Sequence, residues 1–307
     1  MAGCQYLSVS DLNQVFNPSL HFKFKKIEVT KAMDQNITFI GGGNMAQALI
    51  SGMIARGLPA TRITVSDPVP EIQEILREQD VNVTDNNAEA IANADVVVVA
   101  VKPQMLADVL SPLAELMTNQ LVISIAAGAP INVFKSILGG YDRIVRVMPN
   151  TPALVQSGAH GLYAESHISQ KDRDVASQVM AATGLTIWVD SEKKIDAVTA
   201  VSGSGPAYFF YIMEAMIQGG KNLGLDEKTA TALTLQTALG AAQMAITSEN
   251  TPAQLRRNVT SPNGTTQAAI ETFDHYQVSQ HIQAALAAAE KRSATLAEEL
   301  AEKLNSK

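Results

Sequence analysis

A short apolar run, Ile37 to Ile40, stops at Gly41-Gly42-Gly43 and gives way to a helical pattern that continues through Ile50. No other part of the chain restricts the fold so strongly. Gly41, Gly43 and Ala46 stand at the spacing G-x-G-x-x-A. In that fingerprint the first glycine makes the tight turn, and the second lets the backbone approach a pyrophosphate. The third small residue lets the helix pack closely on the strand. The free N–H groups of the helix N-terminus then face the anion. Small residues also fall together in ordinary turns; here their place between a strand and a helix favours a bound dinucleotide.

From Ile37 onward the chain alternates strand and helix. Ala46–Arg56 reads as the first crossover helix, Arg62–Val65 as the second strand, Glu71–Gln79 as a helix and Val81–Val83 as a strand. A short helix over Asn87–Asn93 precedes Asp95–Val101, an apolar run without alternation, as a parallel strand buried on both faces requires. Leu106–Leu116 follows as a helix, then strand Leu121–Ile125, helix Ile131–Leu138 and strand Arg143–Val147. Gly161–Ala164, a helix over Lys171–Ala182, and Thr186–Val189 complete a doubly wound α/β sheet.

After about Glu192 the strands disappear, and helices are predicted over Pro206–Leu223, Asp226–Ser248, Pro252–Asn258, Thr265–Phe273 and Val278–Leu304. The helix from Asp226 is rich in Ala, Leu and Thr around nearly its whole circumference, which demands burial against another subunit. The last helix carries Glu290, Lys291, Arg292, Glu298 and Glu299 and reads as a solvated outer helix. We therefore divide the chain into a Rossmann-type dinucleotide-binding domain over 33–191 and an all-α dimerisation and substrate-binding domain over 192–307. Residues 1–32 are polar and aperiodic and precede Met33; they read as a non-native leader or disordered extension without function.

Composition narrows the functional classes. With 46% hydrophobic and 17% charged residues, the 307-residue chain is a globular protein with a large core. A net charge of −7 and the lack of a basic cluster beyond Lys23–Lys26 argue against nucleic acid. The single cysteine, Cys4, excludes an internal disulfide framework and fits a reducing, cytoplasmic setting. No apolar run is long enough for a membrane span, and no secretory signal is evident. The five histidines form no metal-ligand pattern, so no metal is expected, and neither a G-x-S-x-G elbow nor a P-loop is present.

Ligands of open α/β sheets lie beyond the carboxyl ends of the strands. Four unusual segments fall at such ends: Gly41–Gly43, Ala100-Val101-Lys102-Pro103, Ser124–Gly128 and Met148–Pro152. One ligand running across the sheet edge accounts for all four, with Lys102 a candidate contact. At the end of the second strand, Asp67 favours NAD through the ribose 2′-hydroxyl, whereas Ser66 leaves room for the extra phosphate of NADP. In the helical half, Val201–Ala207 reads as a glycine-rich loop entering a helix, suited either to ligand contacts or to tight packing. Val259–Gln267 is a Ser-Pro-Asn-Gly turn that crowds hydroxyls at a helix start, a place for a small carboxylate.

Taken in order, Phe39–Ala46, Val101–Pro103, Ser124–Gly128, Arg146–Ala153, Asp196–Thr199, Ser202–Tyr208 and Thr260–Thr266 resemble the motifs of the pyrroline-5-carboxylate reductases in their bacterial form. The similarity spans about Ile37 to Ala301. It implies reduction of the cyclic imine of 1-pyrroline-5-carboxylate to L-proline, the last step of proline biosynthesis. The cofactor implied is NADPH, with NADH the alternative, and the assembly a homodimer built into a decamer. By motif, Ile40, Gly41, Gly42, Gly43, Asn44 and Met45 would hold the pyrophosphate, with Ser66, Asp67 and Asn87 towards the adenosine end. Ala100, Val101, Lys102, Pro103, Ala126, Ala127 and Gly128 would line the nicotinamide side. Ser261, Thr265 and Thr266 would bind substrate, Thr266 as the catalytic hydroxyl on the ring nitrogen. Glu192 and Thr199 align near the substrate, and Asn258 near the cofactor. Two rivals stand beside this reading: a reductase of another small imine or β-hydroxy acid, and a dinucleotide-binding regulator without turnover.

Overall fold

A computed structural model describes residues 33–305 of the chain; the expectation for residues 1–32 lies outside them. The contacts divide the chain into two compact units. Among the described residues, one comprises 33–211 and 277–305, the other Ile212–Tyr276.

The larger unit holds an eight-stranded sheet of order β3-β2-β1-β4-β5-β6-β7-β8. Its strands are β1 (Ile37–Ile40), β2 (Ile63–Ser66), β3 (Asn82–Thr84), β4 (Val96–Val99), β5 (Leu121–Ser124), β6 (Ile144–Met148), β7 (Gly158–Ala164) and β8 (Gly184–Trp188). The first six are parallel, β7 runs antiparallel to β6, and β8 is parallel to β7. The order reverses between β1 and β4, the switch point where a dinucleotide is expected. Register brings Ser66, Ile40, Val99 and Ser124 into one row across the carboxyl ends of β2, β1, β4 and β5.

Two apolar clusters sandwich this sheet. Ile37, Phe39, Val96 and Val98 point to one side, against Leu49, Ile50 and Met53 of α1 (Asn44–Ala55) and Val179 and Met180 of α6 (Gln170–Ala181). Ile40, Val97 and Val99 point to the other, against Leu106, Leu110 and Phe134. Both faces of the central strands are thus dry, so their sequences read as unbroken apolar runs. Each buried aliphatic side chain contributes about 1.5–3 kcal/mol. Short helices α2 (Pro70–Arg77), α3 (Asn87–Ile91), α4 (Leu106–Leu110) and α5 (Ile131–Ile137) make the other crossovers.

Three expectations change. The predicted helix over Leu106–Leu116 ends after α4 and continues as a 3-10 segment, Ser111–Leu116. Pro112 has no N–H for an α-helical bond there. The predicted glycine-rich loop at Val201–Ala207 is helical instead. After α7 (Lys194–Val198) comes a π-helical turn, Thr199–Gly203, that leads into α8 (Gly205–Asn222). Ser204 N–H bonds the Thr199 carbonyl at 2.8 Å, and the Thr199 and Ser202 hydroxyls bond back to the carbonyls of Ile195 and Val198. Hydroxyls that bond back to the carbonyl four residues earlier bend a helix, and such a distortion accompanies the π-helical turn here, although the residues read as loop formers. The last helix, α12 (Val278–Asn305), is not solvated throughout: Ser293 is buried and donates to Asp196 Oδ1 at 2.7 Å, and Leu300 packs on the second core cluster.

His160 on β7 is buried, with Nε2 3.0 Å from Thr183 Oγ1 and Nδ1 without a partner. Burial disfavours the imidazolium and pushes its pKa down to about 4. Between pH 6.5 and 4 the unfolded chain therefore binds a proton that the native chain refuses, and stability falls with pH. The expected slope is about 1.4 kcal/mol per pH unit in that window. Urea titrations at pH 7, 6 and 5 should show the loss, and His160→Gln should flatten it.

The smaller unit is helical. α9 (Glu227–Thr247) is capped by Asp226, whose carboxylate accepts from Thr229 N–H at 3.0 Å; α10 (Pro252–Asn258) and α11 (Thr265–His275) follow. Within one chain α9 buries only Ala230 and Thr234, while Leu235 and Leu239 remain 49% and 46% exposed. A helix this apolar needs a cover that one chain does not provide.

Candidate active site

The glycine turn begins where β1 ends. Gly41 adopts φ +98°, and its N–H bonds the Ser66 carbonyl at 2.8 Å. A Cβ on Gly41 would stand 2.9 Å from the Ala100 carbonyl oxygen, so no larger residue fits between the turn and the end of β4. Gln47 Nε2 donates to the Gly42 carbonyl at 2.8 Å and holds the turn from the first helical turn.

Gly43 is different. It is the N-cap of α1 at φ −66°, no side chain caps the helix, and no heavy atom lies within 4 Å of where its Cβ would stand. The first N–H groups of a helix have no partner within it. Open space in front of an uncapped helix start, at the switch point, fits a pyrophosphate.

Ser66 and Asp67 lie side by side at the end of β2. The Ser66 hydroxyl donates to Asn87 Oδ1 at 2.6 Å, which joins two of the sequence-predicted residues. Asp67 is buried, and its carboxylate is engaged by the protein: Oδ2 accepts from Gly42 N–H at 2.8 Å and Oδ1 from Val69 N–H at 2.9 Å. It braces the glycine turn directly.

Along the same edge, the Ala100 N–H bonds the Ile40 carbonyl at 2.8 Å, and Lys102 is exposed at the start of a 3-10 turn, Pro103–Met105. Ala126 is buried beneath the next loop, Ala127 is exposed, and Gly128 turns the chain at φ +71° into α5. Glu192 touches this loop: its Oε1 accepts from Ile131 N–H at 2.7 Å and from Arg146 Nη1 at 3.0 Å. Thr199 opens the π-helical turn, half-buried, its hydroxyl bonded to the Ile195 carbonyl at 2.8 Å.

Asn150 lies in the Met148–Pro152 segment that the sequence placed along the ligand track, without a role of its own. It is buried, and its amide donates to the Ser202 carbonyl at 3.1 Å and accepts from Ala159 N–H at 2.8 Å. It thereby joins the end of β6 to β7 and to the π-helical turn. Arg146 was likewise missed; a charge inside the apolar strand Ile144–Met148 was the available signal.

The remaining predicted residues lie in the Ile212–Tyr276 unit. Asn258 closes α10, its side-chain oxygen accepting from Gln254 Nε2 at 2.7 Å. Asn263 adopts φ +60° and its N–H bonds Gln267 Oε1 at 2.7 Å, which folds the turn onto α11. Gly264 is the N-cap of α11, and no side chain caps it. Ser261 and Thr265 are exposed and Thr266 half-buried around these N–H groups. An uncapped helix start ringed by hydroxyls can receive a small carboxylate.

The family of pyrroline-5-carboxylate reductase dimerisation domains matches residues 192–296, and that of coenzyme F420-dependent NADP oxidoreductases matches residues 36–128. A pyrroline-5-carboxylate reductase of Pseudomonas aeruginosa is 53% identical over 266 residues, covering 86% of this chain and 97% of the relative. The structure of such a reductase from Coxiella burnetii superposes with a TM-score of 0.82 at 43% identity, covering 85% of this chain and 98% of that one. A Plasmodium falciparum pyrroline carboxylate reductase solved with NADP bound gives a TM-score of 0.77 at 27% identity, covering 87% and 100%.

Proposed function

The chain belongs to the pyrroline-5-carboxylate reductase family, and from that premise we propose how its parts serve the reaction. It is an NADP-dependent oxidoreductase that reduces the C=N bond of 1-pyrroline-5-carboxylate to L-proline. The observation that carries the assignment of cofactor residues is the uncapped start of α1 at Gly43, with open space before it at the switch point.

Nucleotide binding falls to residues 33–191 and dimerisation with substrate binding to 192–307. Ile40–Met45 hold the pyrophosphate, Ser66 and Asn87 face the adenosine end, and Asp67 keeps the turn in shape. Ala100–Pro103 and Ala126–Gly128 line the nicotinamide, which supplies the hydride when the cofactor is bound. The N–H groups at the start of α11, with Ser261 and Thr265, hold the substrate carboxylate. Thr199 and Asn258 stand beside the ligands. The Thr266 hydroxyl hydrogen-bonds the ring nitrogen, which accepts a proton from water as the imine becomes the better hydride acceptor, an iminium. Purified chain should oxidise NADPH, or NADH, only when pyrroline-5-carboxylate is present. Folded protein that turns over neither cofactor would sink the assignment.

The chain forms homo-oligomers through its dimerisation region. We assign α9 as a main contact, because Leu235 and Leu239 lie one helical turn apart and exposed. A dimer that builds into a decamer, working in the cytoplasm, completes the proposal; among the described residues no helix is long and apolar enough to cross a membrane. Leu235→Asp with Leu239→Asp should shift sedimentation towards the 32.7 kDa single chain. An unchanged sedimentation profile would move the contact elsewhere.

A further inference from the structure

Arg146 lies on β6, paired in register with Ser124 of β5 and Tyr163 of β7, and only 4% of it is exposed. A guanidinium in such a place needs a carboxylate, and Glu192 provides it at 3.0 Å from the segment after β8. The same Glu192 oxygen accepts the N–H of Ile131 at 2.7 Å. Ile131 is the first residue of α5, and its N-cap, Pro130, has no side-chain acceptor to give. Glu192 therefore acts as a cap delivered from 61 residues away, itself held by a buried arginine.

The segment between β5 and α5 carries Ala126, Ala127 and Gly128. Its beginning is tied where Ala126 N–H meets Ser124 Oγ at 3.3 Å, and its end where Ile131 N–H meets Glu192. Both ends are thus tied, and Gly128 makes a left-handed turn between them. We propose that Glu192 is a positioning residue for the cofactor loop, acting through Ile131, and that Arg146 sets the position of its carboxylate. The inference rests on the reading that Ala126–Gly128 line the nicotinamide. It gives Glu192 a duty towards the dinucleotide instead of the contact with the imine that its alignment implies.

The two duties separate by experiment. The NADPH dissociation constant is measured by calorimetry without substrate, alongside both KM values and the thermal midpoint. In Glu192→Gln the amide oxygen still accepts from Ile131 N–H, so NADPH affinity should stay within about threefold of the parent. Glu192→Ala leaves Ile131 uncapped and should weaken NADPH binding about tenfold or more, with KM for the imine within twofold. Because that variant also strands a buried charge, Arg146→Met combined with Glu192→Met supplies an apolar pair that folds. It too should bind NADPH about tenfold more weakly. Unchanged NADPH affinity in the folded double variant would overturn the proposal. So would a KM rise confined to the imine in Glu192→Gln. Ala127→Phe checks the underlying reading independently: Ala127 is exposed, so added bulk should weaken NADPH binding without unfolding the chain. If Ala127→Phe binds NADPH normally, the lining role of the loop fails. If it binds weakly while the Glu192 variants bind normally, only the positioning role fails.

Discussion

Gly43→Val should fold like the parent and lose NADPH binding by a factor on the order of a hundred, a penalty of about 2.7 kcal/mol. Gly43 sits at φ −66°, which any residue adopts, and a Cβ there meets no protein atom within 4 Å. The added methyl groups would occupy the space before the α1 N–H groups and so collide with a pyrophosphate bound there. Gly41→Ala makes the contrast. Its φ of +98° is strained for alanine, and the new Cβ would press on the Ala100 carbonyl at 2.9 Å. Such a residue destabilises the fold itself by about 1–3 kcal/mol. Thermal midpoints and NADPH titrations on both variants separate the two glycines. A Gly43→Val protein that binds NADPH normally would remove the pyrophosphate from α1.

These two glycines also show what the sequence reveals. Strands such as Val96–Val99 are legible because burial on both faces leaves nothing but apolar residues. Gly41 and Gly43 are legible because a fixed spacing carries a fixed geometry. What escapes is whatever depends on contacts far along the chain. Gly158–His160 belong to β7 only because they pair with Gly184–Thr186 of β8, and glycine weakens any strand signal of its own. The tie between Asp67 and Gly42, 25 residues earlier, has no local signal. Asn150 joins Ser202 across 52 residues. Local pattern carries the backbone layout, whereas the division of labour among polar side chains is written in long-range pairs.

Thr266→Ala should lower kcat/KM for the imine by about 1–3 kcal/mol, roughly tenfold to a hundredfold, while leaving stability and NADPH affinity as they were. The α11 start explains why. No side chain caps this helix, so the Thr266 hydroxyl is not the group that keeps the helix formed. Its removal therefore unbalances nothing in the free protein. The loss appears when the ring nitrogen gains its proton, since a hydrogen bond to a charged group exceeds one to a neutral imine. A larger loss in kcat than in substrate affinity is the signature of a contact that strengthens in the transition state. Thr266→Ser keeps the hydroxyl and should recover most of the rate. Ser261→Ala and Thr265→Ala should instead raise KM, because their hydroxyls sit beside the N–H groups proposed to take the carboxylate, whose charge does not change during the reaction. Were Thr266→Ala to show only that same rise in KM, its hydroxyl would belong with the carboxylate, and the ring nitrogen would need another partner.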